Sequence, residues 1–111
     1  MHKCNYNIVV SGIRFEWDEA KNLSNLRKHG VNFDEASRVF LDPLFVSVKD
    51  RVVEGEQRWQ TFGEVEGCLL LMVAHTVGET DEHGEKVEVM RIISARHASR
   101  KERRRYEDEN C

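Results

Sequence analysis

The chain has 111 residues, enough for one domain with a single modest hydrophobic core. Apolar residues make up 40% of it and charged residues 33%, and the apolar residues cluster in periodic blocks, which argues against a disordered chain. The formal net charge of -3 argues against a uniformly basic nucleic-acid-binding protein, and the longest apolar run, residues 68–74, is too short to cross a membrane.

The cysteine pattern indicates whether the protein folds in a reducing or an oxidising compartment. Cys4, Cys68 and Cys111 are an odd number at wide spacing and form no CxxC pair. Such a pattern argues against a disulfide framework and for a reducing environment. The first ten residues also carry no signal-peptide pattern. We therefore expect a soluble, cytoplasmic protein that folds as a single domain over residues 1–111.

The N-terminal part predicts a strand followed by a helix. Apolar and polar residues alternate over residues 13–17, which is typical of a strand. Residues 1–12 stay open between a flexible N-terminal extension and a continuation of that strand through residues 8–10. Asp18 has the position of a helix N-cap and Gly30 that of the left-handed residue that ends the helix. Three apolar residues recur at helical spacing between them: Ala20, Leu23 and Leu26.

A second helix is predicted directly after the first. Asn32 and Glu35 have the spacing of a capping box, in which each residue satisfies a backbone N–H of the other. Pro43 ends the helix, since proline cannot continue it. The residues expected to be buried share one helical face and are Ala36, Val39 and Phe40.

The remainder of the chain predicts strands and one more helix. Four segments are rich in β-forming residues, namely 45–48, 58–65, 69–77 and 87–95. Residues 69–74 are continuously apolar, which predicts a central strand covered on both faces. Ser99 and Glu102 form a second capping box, which begins a helix that runs to about Asp108. The expected fold is α+β, with a mainly antiparallel sheet of about four to five strands, two N-terminal helices and a C-terminal helix.

Positive charge is concentrated near the C-terminus. Residues 91–106 hold seven of the 17 basic residues, namely Arg91, Arg96, Arg100, Lys101, Arg103, Arg104 and Arg105. The only large apolar side chain of the final helix is that of Tyr106, so this helix is either solvated or docked on a charged partner. Because arginine binds phosphate oxygens in pairs and stays charged, RNA is the expected substrate of this segment. Its strand half, with Arg91, Arg96 and His97, is the predicted place of phosphate chemistry.

Strand geometry sets a condition on this prediction. Side chains alternate between the two faces of a strand, so regular alternation places Arg91 and Arg96 on opposite faces. A bulge or a strand end must lie between them if both arginines contact one ligand.

Two further clusters are candidates for chemistry. Glu56 has the character of a general base, Arg58 of a phosphate clamp and Trp59 of a surface on which a base stacks. The alternative is that Glu56 and Arg58 form a surface pair while Trp59 fills the core. Lys28 and His29 lie at the end of the first helix, where positive side chains also complement the helix dipole. The histidines and cysteines show no metal-ligand spacing, so no metal or cofactor is predicted.

The sequence resembles the BrnT family of toxins over about residues 13–107. The matching positions are Phe15-Glu16-Trp17-Asp18, Lys21, Asn25, Leu26, Lys28-His29-Gly30-Val31, Phe33, Val39-Phe40-Leu41-Asp42-Pro43, Gly55-Glu56, Arg58-Trp59, Arg91-Ile92-Ile93-Ser94-Ala95-Arg96, Glu102-Arg103-Arg104 and Tyr106. So many matches in order make the resemblance far more specific than any single motif.

The resemblance implies a RelE-like fold and a metal-independent ribonuclease toxin of a type II toxin–antitoxin pair that inhibits translation. It implies a BrnA-like antitoxin with a ribbon-helix-helix domain, whose complex with the toxin binds promoter DNA. The alternative is a non-catalytic binding module that acts with its antitoxin as an autorepressor. The resemblance assigns Arg91 and Arg96 as phosphate clamps, His29 or Glu56 as the base, and His97 or His29 as the acid. The RNA-binding positions would be Lys28, Arg58, Trp59, Arg100, Arg103 and Arg104.

The sequence departs from the family pattern at two places. BrnT-like sequences read His-Thr-Glu-Arg where this chain reads His75-Thr76-Val77-Gly78, and an acidic insertion follows. A lysine usual after the Ser-Ala-Arg stretch is His97 here. Loss of one cation beside a developing charge costs roughly 3 kcal/mol of transition-state stabilisation. We therefore expect a weaker nuclease, or one that recruits Arg58 or His97 instead.

Overall fold

The order of elements follows the predicted signals over most of the chain. The computed structural model describes residues 5–10 and 12–110. Its elements are β1 (Tyr6–Val10), β2 (Ile13–Trp17), α1 (Glu19–His29), α2 (Phe33–Ser37), a 3₁₀ helix (Arg38–Leu41), β3 (Val46–Val53), β4 (Glu56–Val65), β5 (Leu69–His75), β6 (Gly78–Glu82), β7 (Glu85–His97) and α3 (Arg100–Glu109). None of the helices in these ranges is long and apolar enough to cross a membrane.

Within the described ranges the sheet has seven strands, so the prediction of about four to five strands was wrong. Its order is β1-β2-β7-β5-β4-β3, with β6 paired to β7, and every pairing is antiparallel except that of β2 with β7. The two unpredicted strands are β1, which lies in the segment left open, and β6, which is acidic. Strand β1 is a separate strand that pairs with β2 from Tyr6 opposite Trp17 to Val10 opposite Ile13.

Strand β5 lies between β7 and β4 and is covered on both faces, as predicted. Leu71 and Val73 belong to a core shared with α2, whereas Leu70 and Met72 belong to a second core that contains Tyr106 of α3. We call the side of the sheet that carries Tyr106 the α3 face. The opposite side, which α1 and α2 cover, is the helical face.

Both predicted caps of α1 are present. Asp18 accepts a hydrogen bond from the backbone N–H of Ala20, and Gly30 ends the helix with φ of 73°. The apolar residues that indicated this helix do not face the core, because Leu23 and Leu26 are exposed. The helix is instead held through the buried side chain of Asn25.

Asn25 closes the open edge of β7. Its Nδ2 donates to the carbonyl oxygens of Ala95 at 2.7 Å and Val31 at 2.8 Å, and its Oδ1 accepts from the N–H of Ala95 at 3.1 Å. A single amide side chain therefore pairs with this edge as a neighbouring strand would, and it fixes α1 to the sheet.

Helix α3 is capped at its start and docked through Tyr106. At its start, Ser99 and Glu102 form the predicted capping box. Further along, the Tyr106 hydroxyl donates to Asp42 Oδ2 at 2.5 Å, and Asp42 also accepts from the backbone N–H groups of Leu44 and Glu64. Desolvation and the bond to Asp42 raise the pKa of Tyr106. These contacts keep the basic helix on the α3 face.

The cysteine predictions are covered only in part. Cys68 is an exposed free thiol. Cys4 and Cys111 lie outside the described residues.

Candidate functional site

A bulge in β7 brings the two predicted clamps to one face. Ala74 of β5 lies opposite Ser94, but the next residue, His75, lies opposite Ile92, so Ile93 is an additional residue in β7. Because the bulge reverses the alternation of side chains, Arg91 and Arg96 both lie on the α3 face. The geometric condition for a shared ligand is therefore met.

Arg91 forms a close cluster with the second set of predicted residues. Its Nη2 donates to Glu56 Oε1 at 2.5 Å, and Arg58 Nε lies 3.8 Å from the same oxygen. Arg58 Nε is buried and has no hydrogen-bond acceptor within the part of the chain that the structure describes. The side chains of Arg91 and Arg58 are 21% and 18% exposed, whereas that of Glu56 is 42% exposed. The carboxylate is thus the most accessible member, and both guanidinium groups approach its Oε1.

Glu56 and Arg91 open onto a groove of about 470 Å³. The groove is lined by Arg14, Glu16, Glu56, Thr76, Val77, Gly78, Glu79, Thr80, Val89 and Arg91. Gly78, where the sequence departs from the family pattern, is therefore at the same groove as the cluster. Arg14 and Glu16 were not predicted as site residues. Their polar positions in the alternating strand β2 were visible, but only the pairing of β2 with β7 brings them to Arg91.

The backbone beside Arg91 is held by Thr76, the residue that follows β5. The Thr76 N–H donates to the carbonyl of Arg91 at 3.0 Å, and Thr76 Oγ1 lies 3.4 Å from the Arg91 N–H. Next to it, His75 is buried, with Nδ1 at 3.1 Å from the carbonyl of Thr76 and Nε2 at 2.6 Å from Thr61 Oγ1. A carbonyl only accepts, so a neutral imidazole with its proton on Nδ1 satisfies both contacts. His75 is thus a structural support for the segment that holds Arg91.

We expect the contribution of His75 to the free energy of unfolding to fall at acidic pH. Burial lowers the pKa of His75, despite the opposing effect of its hydrogen bond to Thr76. Below about pH 6.5 the unfolded chain takes up a proton that the folded protein binds less readily, so the free energy of unfolding falls as the pH falls. The contribution is at most about 1.4 kcal/mol per pH unit. Urea denaturation at pH 7.5 and 5.5 should show a larger loss for wild type than for His75→Gln. Equal losses in the two proteins would contradict this assignment.

Arg96 is held by α3. Its Nη1 and Nη2 donate to Glu102 Oε1 and Oε2 at 2.7 and 2.9 Å, and Glu102 also accepts from the N–H of Ser99. The hydrogen bonds from Arg96 are the largest cause that lowers the pKa of Glu102 to about 2. Arg96 therefore shares a face with Arg91, but a bidentate ion pair occupies its guanidinium.

Lys28 and His29 lie at a second, smaller groove. This groove has a volume of about 180 Å³ and is lined by Lys21, Ser24, Asn25, Lys28, His29, Ile93 and Ser94. It meets the bulged segment of β7, but its lining does not include Glu56 or Arg91. The third predicted cluster is thus beside the site and not inside the main groove.

The other predicted residues are more distant from the cluster. Trp59 alternates to the helical face, away from Arg58, and Lys49 Nζ lies 5.9 Å from the centroid of its ring. His97 is exposed and pairs with Leu71, which places it on the helical face, opposite to Arg96. The three arginines predicted to bind RNA from α3 are all exposed, namely Arg100, Arg103 and Arg104.

The comparison with known protein families agrees with the resemblance in the sequence. The family described as "Ribonuclease toxin, BrnT, of type II toxin-antitoxin system" matches residues 17–102. Among solved structures, the 1.1 Å crystal structure of the Brucella abortus ribonuclease toxin BrnT is similar, with 26% identity and a TM-score of 0.49 over 76% of this chain and 94% of that chain. No curated protein matches the sequence. Because the family match spans most of the chain, this protein belongs to the BrnT family of ribonuclease toxins of type II toxin–antitoxin systems.

Proposed function

We propose that this chain is a metal-independent, RelE-like endoribonuclease that cleaves RNA through its own 2′-hydroxyl and thereby inhibits translation. The observation that carries the proposal is the cluster of Glu56, Arg58 and Arg91 at the edge of an open groove. An accessible carboxylate beside two guanidinium groups puts a proton acceptor next to donors for a phosphate.

In the proposed reaction, Glu56 accepts the proton of the ribose 2′-hydroxyl. The 2′-oxygen attacks the adjacent phosphorus, and the bond from phosphorus to the 5′-oxygen breaks. Arg91 and Arg58 stabilise the negative charge that develops on the phosphate oxygens. A proton passes to the leaving 5′-oxygen, so the products carry a 2′,3′-cyclic phosphate and a 5′-hydroxyl. Of the two predicted acids, His29 is the better supported, since its groove is also lined by Ile93 and Ser94 of the bulged segment between Arg91 and Arg96.

The remaining cations would hold the RNA backbone. Lys28 lines the smaller groove, and the exposed arginines of α3 extend the positive surface beyond Arg96. Arg96 contributes only where a phosphate displaces Glu102 from its guanidinium, because both nitrogens of its fork are occupied. Contacts of this kind give affinity that falls with salt and is independent of sequence.

Membership of a type II toxin–antitoxin family implies an antitoxin partner. We propose a BrnA-like antitoxin with a ribbon-helix-helix domain, so that the toxin reaches promoter DNA only through the complex. The proposed seat of the antitoxin is the basic outer surface of α3, which carries Arg100, Arg103 and Arg104. An acidic segment of the antitoxin would complement that surface.

A second candidate function is a non-catalytic module that binds the antitoxin and acts in autorepression. The observation that favours it is that three arginines of the α3 face are already paired with glutamates: Arg14 with Glu82, Arg91 with Glu56, and Arg96 with Glu102. Arginines that are paired with glutamates in the absence of RNA fit a purely structural role, which the non-catalytic module would require.

Cleavage assays separate the two functions. Purified protein in excess EDTA should cleave a labelled RNA and leave 2′,3′-cyclic phosphate ends, and a 2′-O-methyl version of that RNA should stay intact. Glu56→Gln should reduce the rate at least about 100-fold, because a positioned base contributes that much or more. Glu66→Gln is the matched control, since Glu66 is exposed and pairs with Arg38 away from the groove. Intact RNA with wild type, together with tight antitoxin binding, would favour the non-catalytic module.

A further inference from the structure

Arg14 is an arginine of the main groove that the proposed reaction does not use. It lies on β2, lines the groove together with Glu56 and Arg91, and forms an ion pair with Glu82 of β6. Its side chain is 24% exposed and that of Glu82 is 39% exposed. The pair is therefore open to solvent, and a soluble anion can reach it without unfolding of the sheet.

The register of the strands shows which way Arg14 points. Arg14 lies opposite Val89 of β7, whereas Glu82 lies opposite Glu85, four residues nearer the start of β7. Arg91 lies two residues beyond Val89 in the other direction. The ion pair thus draws the guanidinium toward the β6–β7 turn and away from Arg91.

The charge of the groove determines how strongly the orientation of Arg14 affects RNA binding. Two glutamates of its lining (Glu16 and Glu56) share the α3 face with its two arginines (Arg14 and Arg91), whereas Glu79, opposite Glu88, alternates to the other face. Glu82 adds a carboxylate next to them, and the hydrogen bond from Arg14 lowers the pKa of Glu82, so this carboxylate stays ionised. A groove in which carboxylates outnumber arginines repels a polyanion unless its arginines are free to contact the phosphates.

We propose that Arg14 is a phosphate ligand for RNA in this groove and that Glu82 is an internal carboxylate that competes with the RNA for it. The inference rests on the proposed function. The guanidinium fork binds a carboxylate and a phosphodiester with the same paired geometry, so either one can occupy Arg14. The β6–β7 hairpin then sets the affinity for RNA by the strength with which Glu82 holds Arg14.

Competition between Glu82 and RNA for Arg14 predicts that substitutions of Arg14 and of Glu82 have opposite effects on RNA affinity. Binding is measured by fluorescence anisotropy on a labelled 2′-O-methyl RNA, which cannot be cleaved, and cleavage is measured on unmodified RNA. Arg14→Ala should weaken binding about 10-fold, and it should reduce the salt dependence by about one phosphate contact. Glu82→Gln should tighten binding about three- to ten-fold, because the phosphate meets no competing carboxylate. The double variant Arg14→Ala/Glu82→Gln should match Arg14→Ala.

The control is Glu88→Gln, which removes the same charge from the same hairpin. Glu88 lies next to Val89 on β7, so its side chain is on the helical face, and its effect on binding should be less than two-fold. A purely structural ion pair would make Arg14→Ala and Glu82→Gln weaken binding together, which would overturn the inference. Wild-type cleavage with unchanged RNA affinity in Arg14→Ala and Glu82→Gln would overturn it while the proposed function stands. Failure of wild type to bind and cleave RNA would overturn both.

Discussion

Arg91→Ala should reduce RNA cleavage by about 100- to 1,000-fold and should abolish growth arrest on induced expression. Arg91 contacts Glu56 Oε1 at 2.5 Å and lies at the groove, so its loss removes a donor to the phosphate and the partner that orients the proposed base. The two effects act on one transition state, so the loss should appear in kcat more than in KM.

A graded series separates charge from geometry at Arg91. Arg91→Lys keeps the charge but replaces a planar fork by a single ammonium group, so we expect activity between wild type and the alanine variant. Arg27→Ala removes an exposed arginine of α1 outside the lining of either groove and should behave as wild type. Urea denaturation of each variant verifies folding. A folded Arg91→Ala protein that still arrests growth would remove Arg91 from the catalytic role.

Local signals explain why the helix boundaries were predictable. Asp18, Gly30 and the Ser99–Glu102 box act on backbone groups within a few residues of themselves, so their effect is visible in one sequence. Strand β6 gives no such signal, because Gly-Glu-Thr-Asp-Glu is poor in β-forming residues. It becomes a strand because the first half of β7 offers it a partner in antiparallel register.

Part of the Glu56 cluster could be proposed from the sequence, but the contacts among its residues could not. Arg91, Glu56 and Arg58 were predicted from the sequence. The alternation of side chains along a strand also indicated that a bulge or a strand end must lie between Arg91 and Arg96 if both contact one ligand. The position of that bulge depends on the pairing of β5 with β7, which is a long-range property. The same holds for the partners of the arginines, since Glu82 and Glu102 reach them from β6 and α3. Such contacts depend on sheet order and helix docking, which one sequence does not encode locally.

The largest effect on stability is expected at Asn25. Asn25→Ala removes the partner of three backbone groups, namely the N–H and carbonyl of Ala95 and the carbonyl of Val31. Each buried group left unpaired costs about 1–3 kcal/mol, so we expect a loss of about 3–5 kcal/mol in the free energy of unfolding. The free energy of unfolding of small domains is about 5–15 kcal/mol in total, so the hydrogen bonds of Asn25 account for a large share of it.

Two companion variants assign that loss to hydrogen bonding. Asn25→Asp keeps the size of the side chain and its acceptor, but it loses the donor and places a carboxylate against two carbonyls, so it should destabilise at least as much as alanine. Ser24→Ala changes the neighbouring exposed residue and should lie within about 0.5 kcal/mol of wild type in urea denaturation. A loss below about 1 kcal/mol in Asn25→Ala would show that other groups satisfy the edge of β7. A loss of the predicted size would show that the hydrogen bonds of this amide hold α1, which carries Lys28 and His29, to β7.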